Sequence, residues 1–233
     1  MIIKTRLLLV SAILSMAFGP LLADTKPTLV VQNVTAADSD AYANGLAKAN
    51  ALIKARTGTE RLRRLWVGDF AGQGSHTLVV TALFDSAAAS AALTDKLKND
   101  TEMNALLKEF KGIRTLGPSY LYKAVRFEGL YDNGAVFVTD LTCSDEDAYA
   151  KALDGLKAIF DANGFKDAKL NLFRIISGRE HSTHMVVISL ASSGRVLELL
   201  DTISDKALLK EWNVTAAKLR TTDGNGTWHE ITK

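Results

Sequence analysis

The sequence has 233 residues with 28 basic and 26 acidic side chains, so its formal charge is close to neutral. Nonspecific nucleic-acid binding needs a basic surface, and the near balance of charge argues against it. The single cysteine, Cys143, cannot form an intramolecular disulfide. Stability must then come from hydrophobic burial, and a chain of this length can bury one or two cores.

A basic and then apolar leader opens the sequence. Lys4 and Arg6 precede a largely apolar stretch that ends at Leu22, after which the sequence turns polar. This order is typical of a secretory signal peptide. We expect residues 1–23 to be removed and the mature protein to be exported, to the periplasm or outside the cell. No other apolar run is long enough to cross a bilayer, so no membrane association is expected after cleavage.

One segment of the sequence occurs twice. Residues 28–55 align without a gap with residues 135–162, and ten of the 28 pairs are identical, including Tyr42 with Tyr149. Such self-similarity is the signature of an internal repeat. We therefore predict two similar units, residues 28–126 and residues 135–233, joined by a linker over residues 127–134.

The first unit predicts strand, helix, two strands, helix and strand. Its first residues are rich in β-branched side chains, residues 36–40 supply helix-capping side chains, and Gly58 supplies the signal that ends the helix. A glycine-rich turn at Gly72 separates two strands and predicts a hairpin. The predicted strands are 28–34, 63–70, 77–84 and 119–125, and the second helical region is 86–111 with a break near residues 98–101.

The second unit predicts the same order, with hairpin strands over 170–176 and 184–190 and a closing strand over 226–232. This order is that of the ferredoxin-like unit, a four-stranded sheet with both helices on one face. We expect the two helical crossovers to join parallel neighbours and the hairpin to join antiparallel ones.

Several predicted strands are apolar on both faces, among them Leu78–Val80 and Met185–Ile188. A sheet with one solvated face would alternate instead. The sequence therefore predicts an α+β fold in which two tandem ferredoxin-like units pack their sheets face to face as an intramolecular barrel.

This organisation resembles the dimeric α+β barrel superfamily, which includes the antibiotic-biosynthesis-monooxygenase-like domains. The resemblance covers nearly all of the mature chain and includes the phrases Trp66–Gly72, Ile113–Gly117 and Ser119–Tyr122. It implies a shape shared by cofactor-independent monooxygenases, haem-degrading and haem-dependent enzymes and proteins of other roles, and it does not select a reaction.

Arg64, Trp66 and Tyr122 are the candidate ligand-binding residues. Arg64 and Trp66 share one face of a strand, where the cation could hold an anionic group and the indole could stack on a planar ligand. The second unit has Leu170 and Leu172 in what we take as the matching positions, so only the first unit is expected to keep a pocket. The alternative is that Trp66 fills the core and Arg64 extends to its rim.

Asp69, His76 and His181 are weak catalytic candidates. A buried Asp69 carboxylate would have a raised pKa suited to a general base, although a position at the exposed end of its strand is the favoured interpretation. His181 and His184 are three residues apart, so on a strand they point to opposite faces and no metal site is predicted.

The sequence thus predicts an exported barrel protein that binds a small apolar or planar ligand or serves as an interaction module. One alternative is a cofactor-independent monooxygenase-like enzyme. Another is a haem-binding protein with His76, His181 or His184 as axial ligand, although no cofactor is predicted. We expect no nucleic-acid partner, and a homo-oligomer is left open.

Overall fold

The computed structural model describes residues 26–60, 62–70, 78–178, 182–205 and 207–231. The predicted signal peptide and the candidates His76 and His181 lie outside these ranges. The described residues form the following elements in chain order: β1 (Thr28–Ala36), α1 (Ser39–Thr57), β2 (Arg63–Phe70), β3 (Leu78–Phe84), α2 (Ala87–Leu97), α3 (Thr101–Ile113), β4 (Arg114–Arg126), β5 (Ala135–Cys143), α4 (Glu146–Ala162), β6 (Lys169–Ser177), β7 (His184–Leu190), α5 (Ser193–Ser204), α6 (Lys210–Ala216) and β8 (Arg220–Ile231).

Local capping sets the helix ends that the sequence predicts. The Asp38 carboxylate accepts hydrogen bonds from two backbone N–H groups in the first turn of α1, and Gly58 ends that helix in the left-handed conformation with φ 75°. The helical region predicted over 86–111 is broken, and Asp100 begins α3 with a second side-chain cap. The break therefore follows from a competing helix start inside the region.

The eight strands form one closed antiparallel barrel in the order β1-β3-β2-β8-β5-β7-β6-β4. The first half of the chain supplies β4, β1, β3 and β2 as neighbours, and the second half supplies β8, β5, β7 and β6. The β2–β8 and β4–β6 pairings join the two halves at both seams. Closure removes the unpaired edges that an open sheet would present.

The prediction of a mixed α+β barrel is confirmed, but one of its details is wrong. The strands that α1 connects, β1 and β2, are not parallel neighbours, because β3 lies between them and pairs antiparallel with both. The inner faces of the two half-sheets meet across the barrel interior, where one apolar cluster contains residues of both halves. The half-sheets also pair edge to edge at both seams, which gives partners to backbone N–H and C=O groups that two stacked open sheets would leave at four edges.

Apolar side chains are buried on both faces of the barrel wall. Leu78 and Val80 point outward into a cluster with α1 and α3, whereas Val79 between them points inward. Side chains of α4 and α5 cover the outer face of the second half in the same manner. The two-sided apolar pattern is thus explained by helices outside and a hydrophobic barrel interior.

Candidate functional site

A cavity of about 310 Å³ occupies the interior of the barrel. Strands of both halves contribute its walls, and most of the lining is apolar. Five of the lining side chains are aromatic: Trp66, Tyr120, Tyr122, Phe173 and Trp228. Small-molecule sites are commonly concave and mainly apolar with a few polar groups, with volumes from about 300 Å³ upward, so the cavity suits a small ligand.

Packing and hydrogen bonding fix the orientation of the aromatic walls. Trp66 is 3% exposed, and its indole N–H donates a 2.9 Å hydrogen bond to Thr81 Oγ1. Tyr122 is 1% exposed and meets Tyr120 edge-on, with ring centroids 6.3 Å apart. Two of the three candidate ligand-binding residues therefore line the cavity. Rigid aromatic surfaces can stack on a planar ligand with little loss of conformational entropy.

The segment 127–134 closes one end of the barrel. The Phe127 ring packs against the Phe173 ring with centroids 6.1 Å apart, and Leu130 forms part of the cavity wall. What the sequence predicts as a linker is therefore a structural part of the site.

Two buried polar side chains hold this closing segment in place. Asn171 is 0% exposed. Its Oδ1 accepts from the Glu128 N–H at 2.8 Å, and its Nδ2 donates to the Gly129 carbonyl at 3.0 Å. The Tyr131 N–H donates to Ser189 Oγ at 3.0 Å. Backbone groups that the barrel end would otherwise bury without partners are satisfied in this way.

Polar side chains line the cavity toward its opposite end. β5 begins at Ala135, directly after the closing segment, and Asp140 lies roughly 17 Å further along at the usual rise of a strand. Asn33 and Asn225 line the cavity together with Asp140, and Asn225 is exposed to solvent. The cavity is therefore apolar at its closed end and polar where its wall reaches the surface.

Arg64 lies at the start of β2, at the closed end of the barrel, and is not among the described side chains that line the cavity. Its guanidinium donates to the Tyr131 carbonyl at 3.2 Å and forms an ion pair with Asp132. Its Nε lies 3.7 Å from Glu230 Oε1. These contacts tie the closing segment to the barrel, so Arg64 supports the wall and does not face a ligand in the interior.

The predicted asymmetry between the two halves is wrong. Leu170 and Leu172 belong to the cluster on the outer face, so they do not replace inward residues of the first half. Phe173 and Trp66 both point into the barrel. The sequence alignment paired Trp66 with Leu172, one residue away from the inward-facing Phe173. A shift of one residue exchanges the two faces of a strand. Both halves therefore contribute aromatic walls.

Asp69 lies on the outer side of the barrel. Its Oδ1 is 2.8 Å from His229 Nδ1, and Ser193 donates a hydrogen bond to its Oδ2 at 3.3 Å. The serine contacts the carboxylate and not the imidazole, so the three groups do not form the relay of a Ser-His-Asp triad.

His184 also faces away from the cavity. It is 5% exposed, its Nε2 lies 2.9 Å from Glu146 Oε2, and its Nδ1 lies 2.8 Å from Thr183 Oγ1. Among the residues whose structure is described, no group of three or more His, Cys, Asp or Glu side chains could hold a metal ion.

The wall residues that sequence reasoning missed include Asp140, Phe173 and Trp228. Asp140 and Phe173 lie on strands that the sequence predicts, where alternation from Val136 and Val138 already places Asp140 inward. Trp228 lies on the weakest predicted strand, and its position follows from the pairing of β8 with both β5 and β2.

No family model and no curated protein matches the sequence. Solved structures match it over nearly its whole length. A candidate monooxygenase from Fusobacterium nucleatum has a TM-score of 0.53 at 10% identity, over 89% of this chain and 92% of its own. A haem-binding protein from Thermus thermophilus has a TM-score of 0.53 at 8% identity, over 88% and 91%. A mutant chlorite dismutase from Candidatus Nitrospira defluvii has a TM-score of 0.52 at 9% identity, over 89% and 92%.

At these identities the likeness shows the fold alone, a mixed α+β barrel. Separately, none of the helices in the described ranges has the length and apolar character needed to span a membrane.

Proposed function

We propose that this protein binds a planar, mainly apolar small molecule inside the barrel. The observation that carries the proposal is the 310 Å³ cavity with five aromatic side chains on its walls. Burying a planar apolar molecule there would remove apolar surface of both ligand and wall from water. The polar end of the cavity, with Asn33 and Asp140, would orient one polar group of the ligand toward the surface.

A cofactor-independent monooxygenase-like enzyme is the second candidate. It is favoured by the Asp140 carboxylate, which lines the same cavity as the aromatic side chains. A positioned carboxylate can serve as a general base if it comes within hydrogen-bond reach of the proton it removes. The fold likeness to a candidate monooxygenase is compatible with this reading.

Haem binding is the third candidate, and the described residues fit it poorly. Iron in haem proteins is held mainly by His, Cys, Met or Tyr. Nitrogens of His184 and His229 lie against carboxylates on the outer side of the barrel. Tyr120, Tyr122 and Met185 line the cavity, but no histidine of the described residues does, and nothing in the preferred proposal depends on haem.

We further propose that the chain is an exported tandem repeat with units at 28–126 and 135–233. Export rests on the order of basic, apolar and polar residues at the start of the sequence. The repeat rests on the identities between residues 28–55 and 135–162, and the equivalent strand orders of the two halves agree with it. An interaction role for the barrel, as a homo-oligomer, is compatible with both.

Cavity-filling substitution tests the proposed function. N-phenylnaphthylamine, a neutral planar probe, should bind the purified mature protein with enhanced fluorescence and should quench tryptophan emission, because Trp66 and Trp228 line the cavity. Val187→Phe places a ring in the cavity and should weaken binding at least tenfold. Val214→Phe makes the same change on α6, where Val214 is 58% exposed, and should leave binding unchanged.

Circular dichroism checks that each variant is folded, and Val79→Phe offers a second way to fill the cavity. Equal binding by wild type and by both filled variants would place the probe elsewhere and overturn the proposal. Native mass spectrometry of the exported protein then identifies any co-purified molecule. A Soret absorption band in that material would favour the haem alternative.

A further inference from the structure

A second cleft lies outside the barrel, between α1 and the seam of β2 with β8. It encloses about 320 Å³ and does not share the aromatic walls of the central cavity. Small and apolar side chains form much of its described surface, including Ala43, Ala47, Leu65 and Ile231. Its polar side chains are concentrated where β2 begins.

The Asn50 side chain of α1 anchors the backbone of Arg63 at this point. The Arg63 N–H donates to Asn50 Oδ1 at 3.1 Å, and its carbonyl accepts from Asn50 Nδ2 at 2.7 Å. These two hydrogen bonds hold the start of β2 against α1. The position of the Arg63 side chain in the cleft is therefore set by the meeting of a helix and a strand.

The Arg63 guanidinium has no hydrogen bond or ion pair with any residue in the described ranges. Burial lowers the pKa of the guanidinium from its ordinary value, and the nearby positive charge of Arg114 lowers it further, whereas Tyr42 acts in the opposite direction. The group nevertheless keeps its charge, because arginine remains protonated in proteins. Arg63 is half-buried, and a partly desolvated cation without a protein partner gains from an anion that satisfies it.

The other charged side chains of the cleft already have partners. Lys54 Nζ lies 2.5 Å from Glu60 Oε1, and Arg64 contacts Glu230 and Asp132. Arg63 is therefore the one cation of the described cleft lining that has no acidic partner.

We propose that this cleft binds the carboxylate of a small monoanionic organic acid, with Arg63 as its bidentate partner. Arginine presents parallel N–H donors that match the two oxygens of a carboxylate. The apolar body of the ligand lies along Ala43, Ala47 and Leu65. A singly charged carboxylate matches the one unpartnered cation of the described lining, whereas a doubly charged phosphate would exceed it and would leave the apolar walls uncovered.

Titration of the isotopically labelled mature protein with sodium hexanoate tests this site. Hexanoate should shift the amide signals of Ala43, Ala47 and Asn50 and the Nε–H signal of Arg63. Hexanamide, the neutral analogue of similar shape, and inorganic phosphate at matched ionic strength should bind at least tenfold more weakly. Arg63→Met should weaken hexanoate binding at least tenfold, and Arg63→Lys should weaken it less, because it keeps the charge but loses the paired donors.

Lys48→Met is the matched control. Lys48 is an exposed residue of α1 outside the cleft lining, so this variant loses one positive charge from the same helix and should bind hexanoate as the wild type does. Retention of hexanoate binding by both Arg63 variants would assign the ligand to another site, such as the central cavity, and would overturn the inference. Stronger binding of phosphate or of hexanamide than of hexanoate would also overturn it. Because Val187→Phe changes only the central cavity, it should leave hexanoate binding intact, which separates this test from that of the proposed function.

Discussion

The indole N–H of Trp66 donates a 2.9 Å hydrogen bond to the hydroxyl of Thr81, across the pairing of β2 with β3. Trp66 is 3% exposed, so this hydrogen bond satisfies a polar group in a largely apolar cavity. The relationship explains how a tryptophan can form a rigid wall of the cavity without burying an unpaired donor.

Replacing Thr81 by Val keeps the shape of the side chain and removes the acceptor. We expect a loss of about 1–3 kcal/mol in the free energy of unfolding, the usual cost of leaving a buried donor without a partner. Trp66 should also become mobile, which would change the tryptophan emission spectrum and lower the affinity for a planar probe. Urea unfolding and fluorescence measure both effects.

Thr221→Val is the control for that experiment, because Thr221 is exposed on β8 and surface substitutions usually change stability by less than about 0.5 kcal/mol. Equal stability of the Thr81 and Thr221 variants would show that the hydrogen bond contributes nothing measurable.

Asn171 supplies the second prediction. Its side chain bonds the backbone of Glu128 and Gly129 on the closing segment and the Val187 carbonyl on β7. Asn171→Leu would leave these groups buried without partners and should lower the free energy of unfolding by about 3 kcal/mol or more. Hydrogen exchange at the Glu128 amide should accelerate more than exchange in the barrel strands, because the closing segment loses its anchor.

An exchange pattern in which the closing segment and the barrel strands accelerate equally would contradict this account. Asn163→Leu is a suitable comparison, since Asn163 is an exposed residue at the end of α4. It should have a much smaller effect on the exchange of Glu128.

The helix ends could be predicted from local signals and the barrel from strands that are apolar on both faces, but the seam pairings that close the barrel could not. Asp38 and Gly58 are strong helix boundaries in any context, and α1 spans the residues between them. The start of β8 at Arg220 was missed, because residues 220–225 lack an alternating apolar pattern. These residues form a strand through their pairing with β5, which is a long-range interaction.

The candidate site could likewise be predicted only in part from the sequence. Alternation placed Arg64 and Trp66 on one face of β2, but it could not say how far along the barrel axis each of these side chains lies. Arg64 shares that face and yet meets the closing segment at the end of the barrel. The position of the closing segment depends on Asn171 and Ser189, whose partners are backbone groups more than forty residues away in sequence. No local pattern reports such contacts.

The third prediction concerns the two halves of the barrel. Residues 26–126 alone would expose the edges of β2 and β4, which pair with β8 and β6 in the full chain, together with an apolar inner face. We expect this fragment to form a dimer that rebuilds a closed ring, or to aggregate. Size-exclusion chromatography with light scattering measures the outcome, and a stable monomer would contradict the closure argument.

Tyr149 supplies the last prediction, on stability at alkaline pH. The side chain belongs to α4 and is 1% exposed, and burial raises its pKa to about 12, while the positive charge of Arg220 acts in the opposite direction. In the unfolded chain a tyrosine ionises near pH 10. The folded state therefore holds this proton more tightly than the unfolded state does.

The resulting contribution to stability is fully present below about pH 10 and is lost as the pH rises toward 12, because the unfolded state loses its proton first. A difference of about two between the pKa values corresponds to about 2.7 kcal/mol. Tyr149→Phe removes the ionisable hydroxyl, so the free energy of unfolding should fall less between about pH 8 and about pH 11.5 than in the wild type. Urea unfolding across this range measures the difference. Tyr131→Phe is the control, because the Tyr131 hydroxyl donates to the Asp167 carbonyl near the surface. This variant should show the same decrease in the free energy of unfolding at alkaline pH as the wild type. An undiminished decrease in Tyr149→Phe would show that another group causes it.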